Sequence, residues 1–214
     1  TMPAFSPDGH YLAWLSMERD GYESDRNRLF LLDCFTAEKR ELTAEWDYTI
    51  DEFSWAPDGK DIYFIAPKDG VAPVFSISVD NAEIRRLTDV MADFSSLAPA
   101  GAGRIVAMNH SMLRPNELQL ITLKGKKTPV LTALTDVNGH IFSQFEMPAV
   151  EKRMVPTTDG KQMLVWVLYP PKFDAAKKYP AILYCQGGPQ QAVSQFWSYR
   201  WNLALMAANG YVVI

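Results

Sequence analysis

Cysteine and histidine are both scarce in this chain of 214 residues: Cys34 and Cys185 are the only thiols, and His10, His110 and His140 the only imidazoles. Soft-metal sites draw their ligands from closely spaced Cys and His clusters. Here each cysteine stands in its own apolar run and no histidine has a partner at ligand spacing. The sequence therefore calls for no metal and no cofactor, and it predicts two free, buried thiols. An excess of positive charge is also missing. The formal net charge of -4 excludes nonspecific nucleic-acid binding, which needs a positive field over the binding face. Apolar runs such as Met163 to Tyr169 and Leu203 to Ala208 fall well short of the ~18 to 20 residues of a membrane span, so none is expected. No signal-peptide pattern opens the sequence. Thr1 to Ser6 reads as the inside of a strand, so the compartment stays open, with a periplasmic or secreted setting favoured over a cytoplasmic one.

What is abundant is β-structure punctuated by turns, with 12% aromatic residues and 14 prolines. The first two-thirds repeat. Ser6-Pro7-Asp8-Gly9 returns as Ala56-Pro57-Asp58-Gly59 and, weakened, as Ala98-Pro99-Ala100-Gly101; Leu42-Thr43 returns as Leu87-Thr88 and Leu131-Thr132. In each turn proline presets φ and glycine accepts φ > 0. Each unit reads as four strands. The second strands are Tyr11 to Ser16, Asp61 to Ala66 and Arg104 to Asn109, and the third are Arg28 to Asp33, Pro73 to Val79 and Glu117 to Thr122. Four strands at a period of ~40 to 50 residues mark a β-propeller blade, and three blades cannot close a ring of ~4 to 8. The expectation is a piece of a larger protein. The charged insert Glu18 to Asn27 reads as a solvated loop, with a rim role as the lesser alternative, and the same two readings in the same order apply to Trp46, Asp47 and Tyr48 on the connection between blades.

Around Asp136 the repeat fades, and the boundary is placed near Ile141, dividing residues 1–141 from 142–214. Glu151 to Pro156 and Gln162 to Tyr169 then flank the turn Thr157-Thr158-Asp159-Gly160 as a hairpin. Pro180 to Cys185 is an unalternating apolar run, the pattern of a strand buried on both faces of a parallel sheet, and it leads into Gly187-Gly188-Pro189. Glycine backbone can approach a ligand closely and present N–H donors to an oxyanion. Trp201 to Asn209 is expected to be helical, with Trp201, Leu205 and Ala208 on one face and Gly210 at the C-cap. Tyr211 to Ile214 begins another strand.

The segment Asp159 to Val213 resembles the start of the peptidase domain in the prolyl-oligopeptidase family of serine peptidases. The likeness lies in Tyr179-Pro180-Ala181-Ile182-Leu183, in Gly187-Gly188-Pro189-Gln190 and in Trp197-Ser198-Tyr199-Arg200-Trp201-Asn202, and within the family it leans to the dipeptidyl-peptidase V branch. The repeats resemble the TolB-like blades that precede that domain, and Arg114-Pro115-Asn116-Glu117-Leu118 matches the family's Pro-x-Glu-Leu run. The resemblance implies a partial propeller followed by the opening of an α/β-hydrolase. It further implies short peptides as substrates and release of dipeptides from a free N-terminus by acyl-enzyme chemistry.

The site residues it implies are the backbone N–H groups of Gly187 and Gly188 as oxyanion donors. Gln186, where the family usually has His or Tyr, would brace the turn or donate through its amide, and bracing is favoured. Tyr199 and Arg200 would line the cavity or serve as framework. No Gly-x-Ser-x-Gly elbow occurs, no histidine follows the oxyanion strand, and Ser194 and Ser198 occupy no elbow. The chain alone is thus expected to be inactive, and its open strand edge predicts self-association. An acylaminoacyl-peptidase or esterase on the same scaffold, and a non-catalytic peptide-binding propeller, stay open as alternatives.

Overall fold

The computed structural model describes residues 1–125, 127–187 and 192–214. The described residues form four sheets of four strands each. The first three are antiparallel meanders: β1 (Ala4–Phe5) to β4 (Lys39–Glu41), β5 (Glu52–Trp55) to β8 (Ile84–Arg86), and β9 (Asp93–Pro99) to β12 (Lys127–Ala133). Their second strands are β2 (Tyr11–Ser16), β6 (Asp61–Ile65) and β10 (Arg104–Ser111), and their third are β3 (Arg28–Asp33), β7 (Val74–Ser78) and β11 (Arg114–Lys124). The Pro-Asp-Gly turns join first to second strands with φ of 73° at Gly9 and 70° at Gly59, and Gly101 repeats the geometry at 73°.

The middle blade is sandwiched, and its sequence shows why. In β6, Ile62 and Phe64 point into a core shared with Leu15, Leu29, Leu31 and Trp55, while Tyr63 and Ile65 point into a second core with Phe94, Ile105 and Ile121. Both sets are buried, so the strand reads as a continuous apolar run, not an alternating one. Arginines 45 residues apart tie each blade's outer strand to the next blade: Arg40 donates to the Val79 carbonyl, and Arg85 to those of Gly125 and Lys127.

The Leu-Thr marker proves to be a clasp. Leu42 N–H donates to Leu29 O at 2.8 Å and Thr43 Oγ1 accepts from Leu29 N–H at 2.9 Å; Leu87 and Thr88 bind Val74 in the same way at 2.8 and 2.9 Å. In the third blade the pair that does this is Leu134-Thr135, which binds Leu118 at 2.8 Å through both groups. Leu131-Thr132, the expected marker, lies one turn of the pattern earlier, inside β12. The run Leu-Thr-Ala-Leu-Thr offers both pairs, and β12, longer than its counterparts, carries the clasp to the second.

A short helix, α1 (Gly139–Phe142), containing Ile141, leads to the fourth sheet. Its strands are ordered β13 (Ala149–Pro156), β14 (Gln162–Tyr169), β16 (Val212–Val213) and β15 (Ala181–Ile182), with β15 and β16 parallel. The hairpin forms as expected, with Gly160 at φ 80°. Three expectations are corrected. The apolar run from Pro180 yields only two paired residues at the edge, and Leu183 is 71% exposed; burial on both faces needs covering layers, and among the described residues only one helix covers this sheet. That helix, α2 (Leu203–Ala208), buries Leu203, Ala204 and Ala207, whereas Trp201, Leu205 and Ala208 face outward. Asn202 caps it by accepting from Leu205 N–H at 2.8 Å, which leaves Trp201 ahead of the helix, and the small alanines are what lets it lie close on β14 and β16. Both cysteines are free but exposed, not buried. Each stands just past a strand end, Cys34 after β3 and Cys185 after β15. No helix of the described residues is long and apolar enough to cross a membrane.

Candidate active site

The ends of the blades that carry the second-to-third strand connections face the fourth sheet. Val71, from the β6–β7 connection, and Met112, from the β10–β11 connection, share a buried cluster with Trp166 and Leu168 of β14, Leu203 and Ala207 of α2, and Val213 of β16. Around this apolar centre the polar bonds are few and specific. Lys152 Nζ donates to Asp69 O at 2.7 Å. Gly70 sits at φ 80°, and a Cβ there would lie 2.9 Å from Leu164 Cδ1 and 3.1 Å from Trp166 Cζ2, so both its backbone and its packing demand glycine. The Glu18 to Asn27 insert is the corresponding connection of the first blade. It is largely exposed, with Arg19 bound to Asp25 and stacked over Tyr22 at 3.7 Å, and Arg26 and Asn27 bonded outward to Asp47 and Thr49. Trp46 packs edge-on against Phe64 and Phe75 and is framework.

The linker between third blade and hairpin is fastened by Glu117 of the Pro-x-Glu-Leu run, whose carboxylate accepts from Val137 N–H at 2.8 Å and from the Thr135 hydroxyl. Arg114, three residues earlier, stacks over Phe142 of α1 at 4.6 Å. These two residues turn the chain from one architecture to the other.

Of the expected site residues, Gly187 is exposed, in the stretch that follows β15. Its φ is outside the left-handed region, and a Cβ there would meet none of the described residues within 4 Å. Glycine at this position is therefore not required by turn strain. Gly188 lies outside the described residues. The Gln186 side chain is held by Tyr184, whose hydroxyl donates to Oε1 at 2.8 Å, leaving the Nε2 donors as what the amide has to offer. Tyr199 is 82% exposed and packs its edge on Trp197, and Arg200 stacks over Trp201 at 5.2 Å. Among the described residues no hydrogen bond or ring contact joins this pair to Gln186 or Gly187. Ser198 Oγ accepts from the N–H groups of Arg200 and Trp201, an inward-turned hydroxyl.

Sequence reasoning missed the anchor behind the turn. Asp93, the first residue of β9, is 4% exposed. Its Oδ1 accepts from Ala72 N–H at 2.8 Å and its Oδ2 from the Ser194 hydroxyl at 2.6 Å. The next residue, Gln195, is 1% exposed and accepts from Met112 N–H at 3.4 Å, and Val193 O accepts from Trp166 Nε1 at 3.3 Å. His110 Nε2 stands 3.7 Å from Asp93 Oδ2, its Nδ1 engaged with Asn116. Nearby Asp51 is pushed up to about 6, first by desolvation and then by the charges of Asp93 and Glu52. The signal that could have been read is an acid set among apolar residues, Ala92-Asp93-Phe94, at the start of an inner strand; its partner lies 101 residues on.

No family model matches the chain. Among curated proteins it is 46% identical over all 214 residues to the dipeptidyl-peptidase 5 of Porphyromonas gingivalis and 51% identical over the same length to that of Porphyromonas endodontalis. It spans about 30% of the length of these relatives, 31% and 30% respectively. Among solved structures it superposes on an acylaminoacyl peptidase bound to Z-Gly-Gly-Phe-chloromethyl ketone with a TM-score of 0.78 at 20% identity, covering 96% of this chain and 30% of the other. It superposes on the dipeptidyl peptidase 4 of P. gingivalis with a TM-score of 0.68 at 18% identity, covering 99% and 29%. These likenesses show the fold, a partial propeller running into an α/β-hydrolase sheet.

Proposed function

Because this chain belongs to the prolyl-oligopeptidase family of serine peptidases, its whole length matching about 30% of the dipeptidyl-peptidase 5 relatives, we propose that it is the segment of such an enzyme that joins propeller to catalytic sheet and supplies the first oxyanion donors. The passage from one domain to the other falls at 141/142, in the short helix that Glu117 and Arg114 fasten. The complete enzyme releases dipeptides from free N-termini of short peptides. A serine from outside these 214 residues attacks the carbonyl, and the Gly187 N–H, with that of Gly188, takes the charge that develops on oxygen. Such preorganised donors act where water is excluded, and losing one typically costs ~10²- to 10³-fold in turnover. Gln186, fastened by Tyr184, braces the turn, and Tyr199 and Arg200 face the substrate space.

The observation that carries this reading is the match of the whole chain at 46% and 51% identity to two dipeptidyl-peptidase 5 sequences, with Gly187 in the stretch that follows β15. The test is to present the complete protein with one peptide in three forms: free, acetylated at the N-terminus, and as an alkyl ester. Dipeptide release from the free form alone, abolished by a serine-reactive phosphonate, is the expected result. Cleavage confined to the acetylated form refutes dipeptidyl activity in favour of an acylaminoacyl peptidase, cleavage of the ester alone favours an esterase, and binding without turnover favours a non-catalytic propeller.

A further inference from the structure

We propose that Asp93, in the third propeller blade, is a positioning residue for the oxyanion turn, acting through Ser194. The inference rests on reading that turn as the oxyanion donor. Its basis is the return limb. Val193, Ser194 and Gln195 are bonded in succession to three different elements: Trp166 in β14, Asp93 in β9 and Met112 in the β10–β11 connection. The following Phe196 packs into the apolar centre of the joint and against the ring of Tyr184, at 6.2 Å. Tyr184 is the residue that holds Gln186. The stretch before Gly187 is therefore fastened by β15 and its pairing with β16, and Val193 to Gln195 by the propeller and β14, with Phe196 on Tyr184 joining the two.

Stability alone does not account for this chemistry. A carboxylate 4% exposed and an amide 1% exposed cost free energy to bury, and well-packed apolar side chains would hold the joint at least as firmly. What buried polar pairs add is register. The Ser194 hydroxyl finds Asp93 Oδ2 in one placement of the limb only, and a slip of one residue would leave that buried oxygen without its hydroxyl donor while Oδ1 keeps the Ala72 N–H. His110, at 3.7 Å, is too far to replace the hydroxyl as donor. The propeller thus sets where the Gly187 N–H stands relative to the reacting carbonyl.

The experiment uses the complete enzyme and three variants. Ser194→Ala removes the donor, Ser194→Thr keeps a hydroxyl, and Thr43→Val removes a buried hydroxyl bond of the same kind far from the joint. For each, kcat and KM toward a dipeptidyl substrate are measured together with hydrogen exchange at the Tyr184 amide, which donates to Ile214 O at 2.7 Å. Ser194→Ala should lower kcat about tenfold or more with KM little changed, as misplacement of a catalytic group does, and speed Tyr184 exchange roughly fivefold or more as the local opening free energy falls. Ser194→Thr should restore both, and Thr43→Val should leave both at the parent value. Parent-like kcat and exchange in Ser194→Ala, or equal losses in Thr43→Val, overturn the inference while leaving the peptidase reading intact. A parent protein that turns over no peptide overturns the reading itself, and the inference with it.

Discussion

Replacing Gly70 by alanine tests the joint between propeller and hydrolase sheet at its tightest point. The residue stands at φ 80° in the β6–β7 connection, where a side chain in the left-handed region costs about 1–2 kcal/mol. The added methyl also meets Leu164 Cδ1 at 2.9 Å, Leu164 Cδ2 at 3.1 Å and Trp166 Cζ2 at 3.1 Å, and overpacking of a formed core costs about 1–3 kcal/mol. Leu164 is half-buried and can turn away; Trp166, 6% exposed and tied to Val193 O, cannot. A total of about 2–5 kcal/mol follows from these two contributions. Gly160→Ala separates them, because Gly160 has the same φ of 80° with nothing within 4 Å, so only the backbone cost of about 1–2 kcal/mol applies. Urea unfolding of both variants, read from midpoints at constant slope, should place Gly70→Ala about 1–3 kcal/mol below Gly160→Ala. Adding Leu164→Ala to Gly70→Ala should shrink that gap. Equal destabilisation by the two glycine variants would show that the hairpin does not press on the blade, and would refute the packing argument.

Three further outcomes follow from the blades. Thr43→Val and Thr88→Val each strip a buried N–H of its acceptor while keeping side-chain shape, and denaturant titration should find losses of about 1–3 kcal/mol for each. Thr135→Val, at the more exposed clasp of the third blade, should cost less than either, and a larger loss there would contradict the assignment of Leu134-Thr135. Tyr63 is buried, and desolvation, followed by the charges of Asp61 and Asp58, pushes its phenol up to about 12. Between pH 10 and 12 the unfolded chain releases this proton and the native one retains it, so stability falls as pH rises, by at most about 1.4 kcal/mol per unit. Tyr63→Phe should remove that part of the alkaline slope.

The blades were legible because they repeat: a Pro-Asp-Gly turn read at two places identifies the third even where it is degraded to Pro-Ala-Gly. Repetition also caused the error at Leu131-Thr132, where two copies of the marker lie three residues apart and only strand length decides between them. In the last sheet the hairpin was legible from its turn. The helix face was not, because the pattern Trp-x-x-x-Leu favours bulk, whereas close packing on a sheet chose Leu203, Ala204 and Ala207. The exposure of Cys34 and Cys185 was equally hidden, since an apolar run does not say where its strand stops. At the candidate site, Gly187 is proposed from local sequence and likeness. The Asp93–Ser194 bond could not, because nothing local to either residue refers to the other.

The two exposed thiols, one in the first blade and one beside Gln186, have a practical consequence. Cys34 and Cys185 lie on opposite sides of the joint and are the only thiols in these 214 residues. In a protein whose only thiols are these two, a maleimide dye pair attaches with no substitution at all, and the transfer efficiency between the dyes becomes a ruler laid across propeller and sheet. The label at Cys185 sits two residues from Gly187, so the same molecule that measures the joint also reports binding beside that glycine.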